Sequence, residues 1–275
     1  MRAKYKLITC DLDETLLNHE HELSDENLQA IRRAQAEGVI FVPATGRDHR
    51  SVQDLLKKLG VHDRENEYVI SYNGGVMTEN KANRLIHMEG LDFGLAEALY
   101  QAGLQYDVAI HIYTLDMTYI YRLKEEERGY LAGRMEITEI SEPNLDFLKG
   151  QQIIKMLYAN PDCDYLRRIE KDIRPLTEGA VSVSYSSNRF IELNRLGVSK
   201  GMGLRKLAGR LGIRPEETLA IGDNLNDLSM ILEAGWGVGV ANCVDELRPD
   251  CDYICSKSND EHAVAEVIHT FVLPA

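Results

Sequence analysis

The chain has 275 residues, 44% hydrophobic and 27% charged, which suits one large or two ordinary domains with a buried core. Its formal net charge of -13, with no run of Lys and Arg to make a basic patch, argues against nucleic acid or an anionic membrane as partner. No apolar run is long enough to span a bilayer and nothing resembles a secretory leader, so the five cysteines read as free thiols in a reducing cytoplasm. Residues 7–12 are predicted to form a buried strand, and Ser24 to cap a helix that runs through Glu37 and closes at Gly38. Residues 39–45 read as a second strand, 47–59 as a helix with Leu55, Leu56 and Leu59 on its apolar side, and 67–72 as a third strand ending at Asn73-Gly74-Gly75. That alternation is the mark of βαβ units in a parallel sheet.

From about residue 84 to 189 the rhythm changes. Short strands pair (107–113 with 118–122, 180–185 with 189–193), with two or three helices between them. The parallel rhythm then returns. Met202–Leu211 carries an apolar stripe at helical spacing, 218–222 is a strand, 227–234 a helix, 237–241 and 252–256 strands, and 260–272 a closing helix. The predicted organisation is an α/β, Rossmann-like parallel-sheet core (residues 1–83 and 190–275) carrying an inserted α+β cap (84–189).

Ligands of open parallel sheets bind beyond the carboxyl ends of the strands. Four polar signals fall at such ends: Asp11 and Asp13 after the first strand, Thr45-Gly46-Arg47 after the second, Asn73-Gly74-Gly75 after the third, and Gly222-Asp223-Asn224 after the strand 218–222. If the first strand continues, Asp11 and Asp13 point the same way about 7 Å apart. Two such carboxylates repel unless a cation or a shared proton separates them. Asp223, Asn226 and Asp227 add oxygen donors at the mouth of a helix, where they also make ordinary caps. An oxygen-rich set of this kind suits magnesium. Thr45 and Gly46 at the start of the expected helix 47–59 would form an anion seat, with the Arg47 guanidinium beside it. Lys200, one residue after the expected cap Ser199, supplies the cation that an acidic rim needs for an anionic ligand.

Asp11-Leu12-Asp13-Glu14-Thr15, Thr45-Gly46-Arg47, Lys200-Gly201 and Gly222-Asp223…Asn226-Asp227 occur in this order and resemble the four motifs of the haloacid dehalogenase (HAD) superfamily of phosphohydrolases. The large insertion between the second and third motifs resembles the Cof-type branch, subfamily IIB, although Arg195-Leu196 stands where that branch often has Pro or Lys. The resemblance implies a magnesium-dependent phosphatase acting on small phosphorylated metabolites: sugar phosphates, nucleotides or phosphorylated cofactors. It implies Asp11 as nucleophile and Asp13 as general acid and base. The metal would be held by Asp11, the Asp13 backbone carbonyl and Asp223. Phosphate would be held by the Leu12 N–H, Thr45, Gly46, Lys200 and Asn226. Arg47, Asn73 and Asp227 would lie next to the substrate or support the ligands, Asp227 by holding Lys200 or a metal-bound water. A phosphomutase or phosphotransferase shares this chemistry and differs only in the acceptor. A non-enzymatic phospho-receiver also uses acids, Thr and Lys at strand ends, but it would be about half as long and capless. A dinucleotide-binding protein is disfavoured because no G-x-G-x-x-G follows the first strand.

Overall fold

The computed structural model describes residues 4–131, 136–186 and 188–273. In chain order the strands are β1 (Leu7–Cys10), β2 (Ile40–Pro43), β3 (Tyr68–Ser71), β4 (Val76–Glu79), β5 (Arg84–Met88), β6 (Ala109–Tyr113), β7 (Thr118–Tyr121), β8 (Ile137–Ile140), β9 (Lys155–Ala159), β10 (Val181–Ser186), β11 (Phe190–Arg195), β12 (Thr218–Gly222), β13 (Gly237–Gly239) and β14 (Tyr253–Ile254). The helices are α1 (Asp25–Ala36), α2 (Gln53–Leu59), α3 (Phe93–Gly103), α4 (Glu125–Leu131), α5 (Cys163–Thr177), α6 (Lys200–Leu211), α7 (Leu228–Glu233) and α8 (Ala263–Val267). They fall into two units, Met1–His87 with Ser199–Ala275, and Met88–Val198.

The first unit is built on a parallel sheet ordered β14-β13-β12-β1-β2. β1 runs through its middle, with Leu7 paired to both Thr218 and Ile40. All four β1 residues are buried, as expected for a strand with both faces covered. α1 packs Ala30, Ile31 and Ala34 inward; the Ser24 hydroxyl accepts from the Asn27 N–H at its start, and Gly38 adopts the left-handed conformation (φ 84°) just past its end. β3 departs from the expected all-parallel arrangement. It meets the main sheet through one parallel bridge, Ala44 to Ile70, and otherwise pairs antiparallel with β4 in a separate sheet ordered β3-β4-β5. The tight turn through Asn73 and Gly74, both at positive φ, sends the chain straight back as β4 instead of into a helix.

The second unit is a six-stranded sheet ordered β10-β11-β9-β6-β7-β8, antiparallel except for the β7–β8 pair. Its core joins one sheet face (Ile110, Ile112, Met156, Tyr158, Ile191, Leu193) to α3 and α5 through Ala96, Leu99, Leu166, Ile169 and Ile173. The helical residues recur at three- and four-residue steps, as one buried helix face requires. The unit boundaries differ from those expected at 84 and 189. β11 pairs with both β10 and β9, so residues 190–195 belong to this sheet and the unit extends to Val198. On the other side β5 still joins β4, which holds the chain in the first unit through His87. The expected outer limits, residues 1 and 275, lie outside the described residues. The fold is thus an α/β core with an inserted α+β cap. Among the described residues no helix is long and apolar enough to cross a membrane.

Candidate active site

β1 and β12 lie side by side with Cys10 opposite Ile221, so their ends deliver Asp11 and Asp223 to adjacent positions. The Asp11 N–H is tied to the Ile221 carbonyl at 3.0 Å. α6 brings the counter-charge. Ser199 caps it, its hydroxyl accepting from the Met202 N–H at 3.1 Å, and Lys200 is its first residue. Gly201 is required there: a Cβ at this position would come within 2.2 Å of the Ser229 carbonyl oxygen, and the Gly201 N–H donates to the Ser229 hydroxyl at 3.0 Å.

Lys200 is fully buried. Its Nζ donates to Asp11 Oδ1 at 2.5 Å and to Asp227 Oδ1 at 2.6 Å. Asp227 turns its other oxygen back to accept the N–H groups of Asp223 (3.0 Å) and Asn224 (3.1 Å). Gly222 makes that return possible, since a Cβ there would meet the Asp227 Cβ at 2.5 Å. Thr15 donates its hydroxyl to Asp223 Oδ1 at 2.7 Å.

One oxygen from each of Asp11, Asp223 and Asp227 lies within 4.8 Å of the others. Three buried carboxylates face one ammonium, which leaves two negative charges uncompensated if all ionise. Burial pushes the Asp11 carboxyl well above the usual range, and Lys200 only partly offsets this. Burial, and then the charge of Asp227, push Asp223 up to about 6. Burial alone would favour neutral lysine, but Asp11 and Asp227 outweigh it and hold Lys200 protonated. Carboxylate oxygens with a surplus of two negative charges fit a hard dication such as magnesium.

Asp13 does not join this cluster through its side chain. β1 stops at Cys10, and from Leu12 the chain leaves the strand conformation for a helix-like turn, which breaks the alternation that would have aligned Asp13 with Asp11. The two Asp13 oxygens are instead held by Arg47: Nε donates to Oδ2 at 2.9 Å and Nη2 to Oδ1, with His21 Nδ1 3.3 Å from Oδ1. His19 lies elsewhere on the surface, paired with Asp260.

The seat expected at Thr45-Gly46 lacks a helix start. α2 begins only at Gln53, because Asp48 Oδ1 captures the N–H groups of Arg50 (2.7 Å) and Ser51 (3.1 Å) in a turn of its own. Thr45 is buried, its hydroxyl accepting from the Arg47 N–H and its carbonyl from the Asn73 N–H. Gly46 and Asn226 both approach Asn73: a Cβ on Gly46 would lie 3.3 Å from Asn73 Oδ1, which accepts from Asn226 Nδ2 at 3.3 Å. The Leu12 side chain is buried in the core of the first unit.

The structure therefore gathers Asp11, Lys200, Asp223 and Asp227 in one group, Asp13 with Arg47 in a second, and Gly46, Asn73 and Asn226 in a third. Thr15 and Ser229 were not anticipated as supports. Thr15 lies within the first motif, so its neighbourhood was readable, but no spacing rule announces Ser229.

Residues 8–268 match the family of haloacid dehalogenase-like hydrolases. The chain is 33% identical over 278 residues to YxeH of Bacillus subtilis strain 168, covering 98% of this chain and 99% of that protein. It is 30% identical over 268 residues to the 5-amino-6-(5-phospho-D-ribitylamino)uracil phosphatase YcsE of the same organism, covering 98% and 96%. A solved haloacid dehalogenase-like hydrolase from Bacteroides thetaiotaomicron superposes with a TM-score of 0.84 at 30% identity, over 96% of this chain and 98% of that one. The subclass IIB sugar phosphatase BT4131 shares the fold (TM-score 0.81, 20% identity, 97% and 98% coverage). With its four motifs, its inserted cap and a family match over almost its whole length, the chain belongs to the haloacid dehalogenase-like hydrolases and is a phosphatase.

Proposed function

We propose that the protein hydrolyses small phosphomonoesters in a magnesium-dependent reaction that passes through an aspartyl-phosphate on Asp11. The observation that carries this reading is the contact of Lys200 with Asp11 and Asp227 beside Asp223, a buried group short of positive charge. Asp11 and Asp223, with the Asp13 backbone carbonyl, would hold the metal, and Asp227 would fix Lys200. When bound, the ion would offset the repulsion between the Asp11 carboxylate and the phosphate dianion.

Phosphoryl transfer needs positioning and charge neutralisation above all. A carboxylate oxygen of Asp11 attacks phosphorus, the bond to the leaving oxygen breaks, and that oxygen keeps the electron pair and takes a proton from Asp13. A water oxygen then attacks the same phosphorus while Asp13 accepts a proton from it, and the electron pair of the Asp11–phosphorus linkage returns to the carboxylate. One water is consumed, and an alcohol and inorganic phosphate are released. Thr45, Gly46, the Leu12 N–H, Lys200 and Asn226 would hold the phosphate oxygens, with Asn73 beside them. YcsE is named for a phosphorylated ribityl compound and BT4131 for sugar phosphates. Small polyhydroxylated phosphates are therefore the first class to screen. The free thiols of all five cysteines suit a cytoplasmic setting.

The test is turnover of p-nitrophenyl phosphate by the wild type, by the wild type treated with a chelator, and by Asp11→Asn. Wild-type activity should need added magnesium, and Asp11→Asn should lose turnover while keeping its circular dichroism spectrum. A folded Asp11→Asn protein working at the normal rate would refute the mechanism.

A further inference from the structure

Arg47 grips Asp13 with both arms of its guanidinium fork, Nε to Oδ2 at 2.9 Å and Nη2 to Oδ1. The backbone of Arg47 is fixed from two sides. Its N–H donates to the Thr45 hydroxyl at 3.1 Å, and its carbonyl accepts from the Tyr72 N–H at 3.0 Å. The ends of β2 and β3 thus determine where the guanidinium stands. Both side chains are partly exposed, 35% for Arg47 and 41% for Asp13. A pair this exposed adds little to stability, which does not account for so well anchored a fork. A planar two-armed contact does something else well: it fixes the direction of a carboxylate.

Direction matters for Asp13, which has to meet a leaving-group oxygen in one step and a water in the next. We propose that Arg47 is a positioning residue that aims the Asp13 carboxyl for proton transfer and does not itself hold the substrate phosphate. This inference rests on the acid–base role given to Asp13 above. The other group near Asp13, His21 with its Nδ1 3.3 Å from Oδ1, lies on the same oxygen as Nη2 and leaves the Nε contact to Oδ2 to set the tilt.

The experiment uses p-nitrophenyl phosphate and a primary alkyl phosphate with Arg47→Met, Arg47→Lys and Asp13→Ala, magnesium present throughout. Nitrophenolate leaves without a proton, whereas an alkoxide does not. Arg47→Met should therefore release one equivalent of nitrophenolate in a burst at the wild-type rate, followed by a steady state slowed about 10²-fold, the scale of loss that misplacing a catalytic group brings. With the alkyl phosphate the first turnover should also be slow. Arg47→Lys should resemble Arg47→Met, because an ammonium lacks the fork, and added guanidinium ion should restore the Arg47→Met steady state. A burst that falls together with the steady state, accompanied by a raised KM on both substrates, would mean that Arg47 holds phosphate and would overturn the proposal; so would wild-type kinetics in Arg47→Met. Asp13→Ala separates the two levels. If it turns over normally, the acid–base reading falls and the inference with it. If it shows a burst and a stall while Arg47→Met does not, the inference alone falls.

Discussion

Lys200 is the residue on which the site's charge balance turns. Its ammonium is the only cation hydrogen-bonded to Asp11 and Asp227 among the described residues, and all three groups are buried. Removing one partner of a buried ion pair leaves an uncompensated charge, which costs far more than the pair contributes as a whole. Lys200→Met should therefore lower the unfolding free energy by about 3–5 kcal/mol at neutral pH, and by less at pH 5, where the orphaned carboxyls can hold protons. Urea unfolding at the two pH values checks this, and a loss under 1 kcal/mol at both would contradict it. Asp11, Lys200, Asp223 and Asp227 were legible in the sequence because each stands at the end of a strand or the start of a helix, where the sheet's geometry forces convergence. The place of the Asp13 side chain was not legible. The inference from alternation holds only while a strand continues, and β1 stops one residue before Asp11. The Arg47–Asp13 pair is likewise invisible to spacing, because it joins residues from two loops.

At the scale of elements, turn chemistry explains what pattern reading missed. The apolar spacing of Leu55, Leu56 and Leu59 marked α2 correctly, but its start was placed too early, since side-chain bonds from Asp48 outcompete the helix over the preceding residues. β3 was recognised as a strand and given the wrong neighbours, because a tight turn after it redirects the chain locally while the hydrophobic pattern stays the same. The approach to β3 also holds a strained acid. Burial pushes Glu67 up to about 7, Arg64 offsets this only in part, and Oε2 has no hydrogen-bond partner among the described residues. The folded protein therefore keeps this proton to about pH 7, whereas the unfolded chain releases it near the ordinary 4.5. The group costs nothing below the lower value; its cost grows as pH rises between the two values and is fully present above the upper one. Glu67→Gln should change the melting temperature little near pH 4, below the ordinary 4.5, and raise it at pH 8, by the equivalent of about 1 kcal/mol once solvent screening of this partly exposed group is allowed for. Equal shifts at both pH values would show that Glu67 is not the titrating group.

At the scale of the whole molecule, two separate hydrophobic cores serve two ends. The parallel-sheet unit brings together residues as far apart in sequence as Asp11 and Asp227, at the carboxyl ends of its strands. The existence of an insertion was readable from the change in strand rhythm. Its end was not, because β11 looks like any other short strand until its pairing with β9 and β10 is seen. A net charge of -13 is no obstacle to an anionic substrate if the charge at the site is set locally, by Lys200 and a dication, and not by the surface. The proposed mechanism stands or falls on Asp11 taking the phosphoryl group. Its most direct test is mass spectrometry of the Asp13→Ala protein, acid-quenched during turnover of p-nitrophenyl phosphate with magnesium and then digested. One phosphoryl mass should be added to the peptide containing Asp11 and be absent when Asp11→Asn is combined with it. An unmodified Asp11 peptide under those conditions, with nitrophenolate still released, would contradict the account.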